Sequence, residues 1–325
     1  MPNDAFILHK NRNIKALAFF ITKSKKMKVN WQGVYPATTT KFTADDKLDF
    51  DAIGKNFQAQ MDGGVHALIL GGSLGEASTL DEDEKLELLR FTLDFVNGKI
   101  PVILNITEGA TRRALAYVKQ AEQIGANGFM ALPPMRYKSD DRETVQFFKE
   151  IADATSKPIM IYNNPVDYKV EISIPMFEQL LKEHANIEAV KDSTRDITNI
   201  TRYRNAFGSR LKIMGGVDTS SMESLLMGAD GLVAGLVCAF PKETVVLFDL
   251  VKAGKIDEAL KLYRWFLPLL ELDIHPKLVQ YIKLAEQFTG IGTENVRAPR
   301  LILEGEERAK IVAIIENGLK TRPIL

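Results

Sequence analysis

The sequence predicts an α/β fold, a (β/α)8 TIM barrel followed by a C-terminal helical region. Its 325 residues suit a barrel with an appendage. Short apolar runs alternate with amphipathic helical patterns in eight units spaced by roughly 20–30 residues, without the signals of antiparallel strands. The first run also lacks the Gly-x-Gly-x-x-Gly turn that begins a doubly wound sheet. The repeated pattern therefore favours a closed parallel barrel over an open sheet.

The eight apolar runs are short and lie between helical patterns. Runs of this kind are typical of parallel strands that are covered on both faces. We place them at residues 33–38, 66–70, 101–105, 128–132, 158–162, 187–191, 211–214 and 231–235. In such a barrel the carboxyl ends of the strands and the loops after them form the active-site face. Residues at those ends are the first candidates for chemistry.

Helical patterns follow seven of the eight runs. The segment Thr79-Leu80-Asp81-Glu82 predicts a capping box at the start of the second helix, and Gly125 is expected to end the third. The predicted helices cover residues 50–62, 79–97, 111–124, 141–154, a stretch after Asp196, 220–227 and 241–252. No helix is predicted between the fifth and sixth runs.

The two ends of the chain do not follow this pattern. Residues 255–325 contain helical patterns at 256–272, 276–288 and 306–317, whose apolar faces must pack on the barrel or on another subunit. We therefore expect a barrel over residues 27–254 and a helical region over 255–325. Residues 1–26 are predicted to be a disordered extension, with a signal peptide as the alternative because residues 16–22 are apolar.

Composition excludes several classes of partner. Lys and Arg together number 42, as do Asp and Glu, so no overall field would attract nucleic acid or an anionic membrane. No apolar run approaches the roughly 20 residues that span a bilayer. The single cysteine, Cys238, allows no disulfide within the chain and is expected to pack in the core. We therefore expect a cytoplasmic protein with neither nucleic acid nor membrane as partner.

Three groups at the predicted strand ends can work together on one carbonyl compound. Lys191 ends the sixth run, where an apolar surrounding favours the neutral, nucleophilic amine. Tyr162 ends the fifth run and can move protons. The turn from Gly72 to Gly75 after the second run can present backbone N–H groups to a carboxylate. This set suits Schiff-base chemistry on a small 2-oxo acid, although Tyr162 alone could be a packing aromatic.

Three segments resemble the signatures of the dihydrodipicolinate synthase / N-acetylneuraminate lyase family. They are Gly72-Ser73-Leu74-Gly75-Glu76, Tyr162-Asn163-Asn164-Pro165 and Lys191-Asp192-Ser193, in matching order and spacing. The similarity extends from about Met27 to the C-terminus. It implies a class I mechanism without metal or organic cofactor, and a homo-oligomer, usually a tetramer.

The resemblance also implies roles for individual residues. Lys191 resembles the Schiff-base lysine and Tyr162 the proton-shuttling tyrosine. Ser73 and Leu74 occupy the positions whose amides hold the substrate carboxylate, next to Gly72, and Ser73 is also a candidate proton relay. A turn serine often only satisfies its own backbone, which is the alternative for Ser73.

Three departures from the family pattern concern substrate choice. Leu74 stands where a second hydroxyl residue is common, so the carboxylate site loses one hydroxyl. Asp167 stands at the position of the arginine that binds the second substrate's carboxylate in dihydrodipicolinate synthases, and a carboxylate there would repel that substrate. The loop after the fourth strand has Arg136 in place of paired tyrosines; Arg136 is either a carboxylate clamp or a solvated loop residue.

The C-terminal region points to one branch of the family. The segments 263–270 and 277–286 look most like members that convert 4-hydroxy-1-pyrroline-2-carboxylate, an intermediate of hydroxyproline breakdown, to 2,5-dioxopentanoate and ammonia. The alternatives are a 2-keto-3-deoxy sugar acid aldolase or dehydratase, dihydrodipicolinate synthase itself (4-hydroxy-tetrahydrodipicolinate synthase), and a non-enzymatic sensor of 2-oxo acids.

Further candidates have weaker signals. Gly215 and Gly216 either allow substrate to approach closely or only form a turn, and Asp218 is a specificity candidate beside them. A rival function places a phosphate group at these glycines and at the eighth strand end, but leaves Lys191 and Tyr162 without a role. The four histidines show no metal-binding spacing, which disfavours a metal-dependent aldolase.

Overall fold

The computed structural model describes residues 27–134 and 137–325. The predicted extension over residues 1–26 and the candidate Arg136 lie outside the described residues. The eight predicted strands are present and all neighbouring pairs are parallel, which confirms the (β/α)8 barrel. The strands are β1 Gly33–Pro36, β2 Leu68–Leu70, β3 Val102–Ile106, β4 Gly128–Ala131, β5 Ile159–Asn163, β6 Ile187–Asp192, β7 Lys212–Gly215 and β8 Gly231–Ala234.

The sheet closes between β1 and β2. The Thr38 N–H donates to the Ile69 carbonyl and the His66 N–H donates to the Val34 carbonyl, each over 2.9 Å. The other strands pair in the order β1-β8-β7-β6-β5-β4-β3-β2. Almost every strand residue is buried, because helices cover the outside and side chains fill the barrel. This explains why the runs read as continuously apolar.

Twelve helices of four or more residues surround or follow the strands in the described part of the chain. They are α1 Phe50–Asp62, α2 Glu82–Val96, α3 Thr111–Ile124, α4 Asp141–Asp153, α5 Pro165–Tyr168, α6 Ile174–Glu183, α7 Thr198–Phe207, α8 Ser221–Leu226, α9 Pro241–Lys252, α10 Ile256–Leu270, α11 Leu278–Phe288 and α12 Gly305–Lys320. The predicted bounds of α1, α3 and α9 match, and Gly125 ends α3 with a φ of 119°.

Two local predictions about helices are wrong. The capping box of α2 is formed by Asp81 and Glu84, not by a box that starts at Thr79. Thr79 instead belongs to a 3-10 turn that delays the helix. The structure also has α6, for which no helix is predicted; Pro175 in its first turn suggests a break, yet proline is tolerated there.

The C-terminal region packs on the barrel of its own chain. Helix α10 lies against α9 and α12, and Phe266 and Leu269 on α10 are fully buried. Between α10 and α11 a 3-10 turn, Glu271–Ile274, approaches the 3-10 turn Asp218–Ser220 that follows β7. The tail therefore reaches the carboxyl-end face of the barrel. No helix in the described residues is long and apolar enough to cross a membrane.

Candidate active site

The two most specific sequence candidates lie side by side on β5 and β6. The parallel register places Tyr162 opposite Lys191 and Asn163 opposite Asp192, at the last residues of both strands. Asn163 fixes the end of β5 because its amide donates to the Ile172 carbonyl over 3.1 Å and to the Tyr203 hydroxyl over 2.8 Å. We call Tyr162 and Lys191 the β5–β6 wall.

The Lys191 amine is buried against an aromatic face. Its Nζ lies 4.1 Å from the centre of the Tyr162 ring, and the residue is 7% exposed. Burial lowers the pKa of Lys191, while Tyr168, Asp273, Asp218 and Asp167 act in the opposite direction. A lowered pKa leaves more of the amine neutral and able to attack a carbonyl or imine carbon.

Gly216 lies directly against the Lys191 side chain. A Cβ atom at this position would lie 2.8 Å from Lys191 Cε and would overlap the Ser193 hydroxyl. The glycine is thus required for the packing of the lysine stem. Gly215 faces the other way, since a Cβ there would meet Ser224 of α8. The structure therefore brings Gly216, but not Gly215, to the cavity.

The Tyr162 hydroxyl is a proton donor held in place by a neighbouring amide. Asn164 Nδ2 lies 3.1 Å from the Tyr162 hydroxyl and 2.7 Å from Asp167 Oδ2. Burial raises the pKa of Tyr162 to about 12, although hydrogen bonds from Ser193 and Asn164 partly oppose the rise. Tyr162 consequently keeps its proton at neutral pH and can transfer it to a reacting atom.

The opposite side of the cavity is the turn Gly72–Glu76, which we call the β2 turn. The Ser73 hydroxyl forms a hydrogen bond with the Tyr168 hydroxyl, and the Tyr168 ring stands at 86° to the Tyr162 ring. Among residues 27–134 and 137–325, no acceptor contacts the backbone N–H of Ser73 or Leu74. These two donors are suited to a substrate carboxylate.

Glu76 anchors the β2 turn to the tail. This residue has a left-handed backbone with a φ of 58° and is fully buried. Its carboxylate forms an ion pair with Lys283 of α11 and accepts from the Arg297 N–H over 3.1 Å. Arg300 lies 3.6 Å away. The turn is therefore held by residues more than 200 positions later in the sequence.

A third side of the cavity contains two carboxyl groups. Asp218 is 1% exposed and accepts from the Gly235 and Leu236 N–H groups, so it lies behind the cavity surface. Asp273, from the 3-10 turn of the tail, lines the cavity and, like Asp218, lies against Gly235. Burial is the main cause that raises the pKa of Asp218 and of Asp273.

These elements enclose a cavity of about 100 Å³, which suits a small acid. The sequence candidates that line it are Gly72, Ser73, Leu74, Tyr162, Asp167, Lys191 and Gly216. Sequence reasoning missed Tyr168, Arg195 and Asp273, which also line it. Tyr168 follows Tyr162 closely in the sequence and could have been found by that spacing, whereas no local signal identifies Asp273.

A second, larger depression of about 600 Å³ lies on the tail near Pro299 and Leu301. Three of its charged groups form ion pairs: Lys277 with Glu307, and Arg300 with Glu76. It contains no counterpart of the buried Lys191 amine beside a phenol. The cavity at the strand ends is therefore the candidate active site.

The chain is similar to known proteins over most of its length. A family model described as Dihydrodipicolinate synthetase family matches residues 30–318. The 4-hydroxy-tetrahydrodipicolinate synthase of Methanococcus maripaludis strain C7 is 27% identical over 88% of this chain and 98% of its own length.

Solved structures show the same architecture. The 4-hydroxy-tetrahydrodipicolinate synthase of Methylacidiphilum fumariolicum SolV superposes with a TM-score of 0.85 at 26% identity, over 89% of this chain and 96% of that one. The dihydrodipicolinate synthase of Thermotoga maritima superposes with a TM-score of 0.82 at 29% identity, over 89% and 97% of the two chains.

Proposed function

This chain belongs to the dihydrodipicolinate synthetase family of lyases, and we propose that its Lys191 forms a Schiff base with C2 of a small 2-oxo acid or cyclic imino acid. The observation that carries the proposal is the buried Lys191 amine 4.1 Å above the ring of Tyr162, in the cavity at the strand ends. Ser73 and Leu74 would hold the substrate carboxylate through their free N–H groups. No step calls for a metal or an organic cofactor.

The substrate we favour is 4-hydroxy-1-pyrroline-2-carboxylate, converted with one water to 2,5-dioxopentanoate and ammonia. Asp167 supports this choice because its carboxylate stands at the mouth of the cavity, where a second carboxylated substrate would be repelled. Leu74 supports it too, since its buried side chain adds apolar surface beside the carboxylate site. A single small ring with one carboxylate fits these two features.

The reaction follows from the positions of Lys191 and Tyr162. Lys191 Nζ adds to C2, the C2–N1 bond breaks, and the ring nitrogen leaves as a primary amine on C5. A proton is lost from C3 to give an enamine, and the 4-hydroxyl leaves as water. Proton transfer from C5 to C3 gives an enamine with a C4=C5 bond, and transfer of a proton from its nitrogen to C4 turns that enamine into an imine. Hydrolysis at C5 and at C2 releases ammonia, the dioxo acid and free Lys191, with Tyr162 moving protons near C2.

A second candidate is 4-hydroxy-tetrahydrodipicolinate synthase, because the relatives reported above carry that name. This reaction joins a 2-oxo acid bound on the lysine to an aldehyde that carries its own carboxylate. Asp167 disfavours this reaction, because its carboxylate would repel the carboxylate of the aldehyde. Cleavage of a 2-keto-3-deoxy sugar acid uses the same Schiff base and is the third candidate, and a 2-oxo acid sensor is the non-enzymatic one.

Borohydride trapping followed by turnover assays tests these functions. The protein is incubated with the cyclic imine, with pyruvate or with a 2-keto-3-deoxy sugar acid, then reduced, digested and analysed by mass spectrometry. We expect an adduct on Lys191 with the imine, ammonia release on turnover, and neither with Lys191→Ala. An adduct without turnover of any compound would support the sensor. No adduct with any of them would overturn the Schiff-base proposal.

Assembly and location complete the proposal. We propose a homo-oligomer, a tetramer or dimer, as the family resemblance implies. Light scattering after gel filtration measures the mass in solution, and a mass near that of one chain would contradict this proposal. A cytoplasmic location agrees with the single cysteine, since Cys238 is buried and its thiol faces the Ala37 carbonyl. Fractionation of cells that express the protein tests this location.

A further inference from the structure

Two carboxyl groups meet at the edge of the cavity, and the mechanism above does not use them. Asp218 comes from the 3-10 turn after β7, and Asp273 comes from the tail. Asp218 accepts from the Gly235 N–H, and Asp273 Oδ1 lies against the position where a Cβ atom on Gly235 would stand, so both carboxyl groups lie against Gly235. Burial raises the pKa of both groups, and the charge of Asp218 raises the pKa of Asp273 further.

Backbone contacts decide which carboxyl group holds a proton more readily. The Asp218 oxygens accept from the Gly235 N–H over 3.0 and 3.2 Å and from the Leu236 N–H over 2.7 Å. Three contacts from N–H donors favour the ionised form of Asp218. Asp273, which lacks these donors, therefore holds a proton more readily than Asp218 does.

The chain is built to accommodate Asp273 at this place. A Cβ atom on Gly235 would overlap Asp273 Oδ1, so the glycine leaves room for the carboxyl group. Asp273 lines the same cavity as Lys191 and Tyr162, next to the apolar side chains of Ile274 and Leu278. Such a surrounding favours a neutral carboxylic acid that can donate a proton.

We propose that Asp273 is the catalytic acid that protonates the departing hydroxyl group, an assignment that rests on the proposed function. In the enamine bound to Lys191, the nitrogen lone pair reforms the C2=N iminium and the C2=C3 pair moves to C3=C4. The C4–O bond breaks as the oxygen takes the proton from Asp273 and leaves as water. Asp273 becomes a carboxylate, and the proton that C3 lost earlier restores it for the next turnover. Asp218 positions the acid.

A change of leaving group tests this role. Fluoride leaves without the full proton transfer that hydroxide needs, so 4-fluoro-1-pyrroline-2-carboxylate depends less on an acid. We expect Asp273→Asn to lower kcat about 100-fold for the 4-hydroxyl substrate, measured as ammonia release, and less than about fivefold for fluoride release from the analogue. Borohydride labelling of Lys191 should stay within about twofold of the wild type, because the Schiff base forms before the acid acts.

Two further variants complete the design. Glu271→Gln changes an exposed carboxyl group in the same 3-10 turn and should leave both reactions unchanged. Asp273→Glu keeps the acid and should recover at least about tenfold over Asp273→Asn. Three results would overturn the assignment. They are an equal fall in kcat for both leaving groups in Asp273→Asn, loss of Lys191 labelling in that variant, and an unchanged kcat for the 4-hydroxyl substrate. Failure of the wild type to form the Lys191 adduct would instead overturn the proposed function and this assignment with it.

Discussion

The β5–β6 wall and the β2 turn face the same cavity but are held in different ways. Tyr162 and Lys191 are positioned by the regular hydrogen-bonded ladder of two adjacent strands. The β2 turn is positioned by buried charge, through Glu76 and the tail residues Lys283 and Arg297. The nucleophile is thus positioned by the barrel strands, whereas the proposed carboxylate site is positioned by the C-terminal region.

A second buried ion pair also joins the tail to a loop at the carboxyl ends of the strands. Lys41, a few residues after β1, pairs with Glu286 of α11 over 2.9 Å, and both side chains are fully buried. Buried pairs of this kind need not add stability over apolar residues, but the loss of one partner leaves an uncompensated charge. The tail therefore positions the loops after β1 and β2. Loss of one partner of either ion pair is expected to lower the free energy of unfolding strongly.

The largest effect is expected on the wall, from Lys191→Met. This change keeps the length of the side chain but removes the amine, so kcat should fall at least roughly 10⁴-fold. The Tm should stay the same or rise, because the change removes a desolvated amine. Activity assays and calorimetry check both parts. A large fall in Tm would show that the wall, too, depends on a charged group.

The next effect is expected at the β2 turn, from Lys283→Met. The Glu76 carboxylate would stay buried without its main partner, at a cost of about 3–5 kcal/mol in the free energy of unfolding. Denaturant unfolding measures this loss. The double variant Lys283→Met/Glu76→Gln should recover part of it, since no buried charge is left unpaired.

The same variant separates the two regions kinetically. If the tail holds only the β2 turn, Lys283→Met should raise KM for the carboxylated substrate more than it lowers kcat. Lys191 labelling by borohydride should persist at saturating substrate. A fall in Lys191 labelling as large as the rise in KM would show that the wall, too, is held by the tail.

Tyr162→Phe is expected to lower kcat by about 100-fold, within the range for loss of a proton-transfer group. The burial that raises the pKa of Tyr162 to about 12 keeps this proton in place in the wild type. Stopped-flow trapping should show that the Schiff base forms more slowly. An unchanged kcat would assign the proton transfers to another group of the cavity.

Tyr168 packs edge-on against Tyr162 of the wall, and its hydroxyl forms a hydrogen bond with Ser73 of the β2 turn. Tyr168→Phe removes it and should lower kcat/KM by about fivefold, since a single neutral hydrogen bond contributes about 1 kcal/mol. A double-mutant cycle with Ser73→Ala measures the coupling directly. A coupling energy near zero would mean that the wall and the turn act independently.

The smallest effect concerns pH. Burial lowers the pKa of Lys191, and the Asp167 carboxylate partly opposes this. We therefore expect kcat/KM to rise with pH and to level off below 10.5, the ordinary lysine value. Asp167→Asn removes a negative charge, which lowers the Lys191 pKa further and moves the rise to lower pH. A shift to higher pH would contradict this sign.

Much of the wall was predictable from the sequence. The strand ends at Tyr162 and Lys191 follow from continuous apolar runs, and neighbouring parallel strands must place their ends together. The start of α2 was not predictable in the same way. Glu76 takes a left-handed conformation to meet Lys283, so the chain makes a 3-10 turn before the cap at Asp81.

The remaining site residues show the limit of local patterns. Gly215, Gly216 and Asp218 lie at the same strand end but face different neighbours. Gly216 contacts Lys191, Gly215 faces α8, and Asp218 lies behind the cavity surface. Asp273 is one of several acidic residues in the helical tail. Nothing in its neighbourhood in the sequence indicates that it reaches the cavity.

The sequence by itself determined the barrel, its eight strands and the pairing of a lysine with a tyrosine, because apolar periodicity and strand order are local properties of the chain. Only the tertiary structure decided what closes the cavity. The ion pair of Glu76 with Lys283 and the contact of Asp218 with Asp273 join residues far apart in the sequence. Such contacts depend on how the tail packs over the barrel, and packing of buried charges leaves no periodic signal.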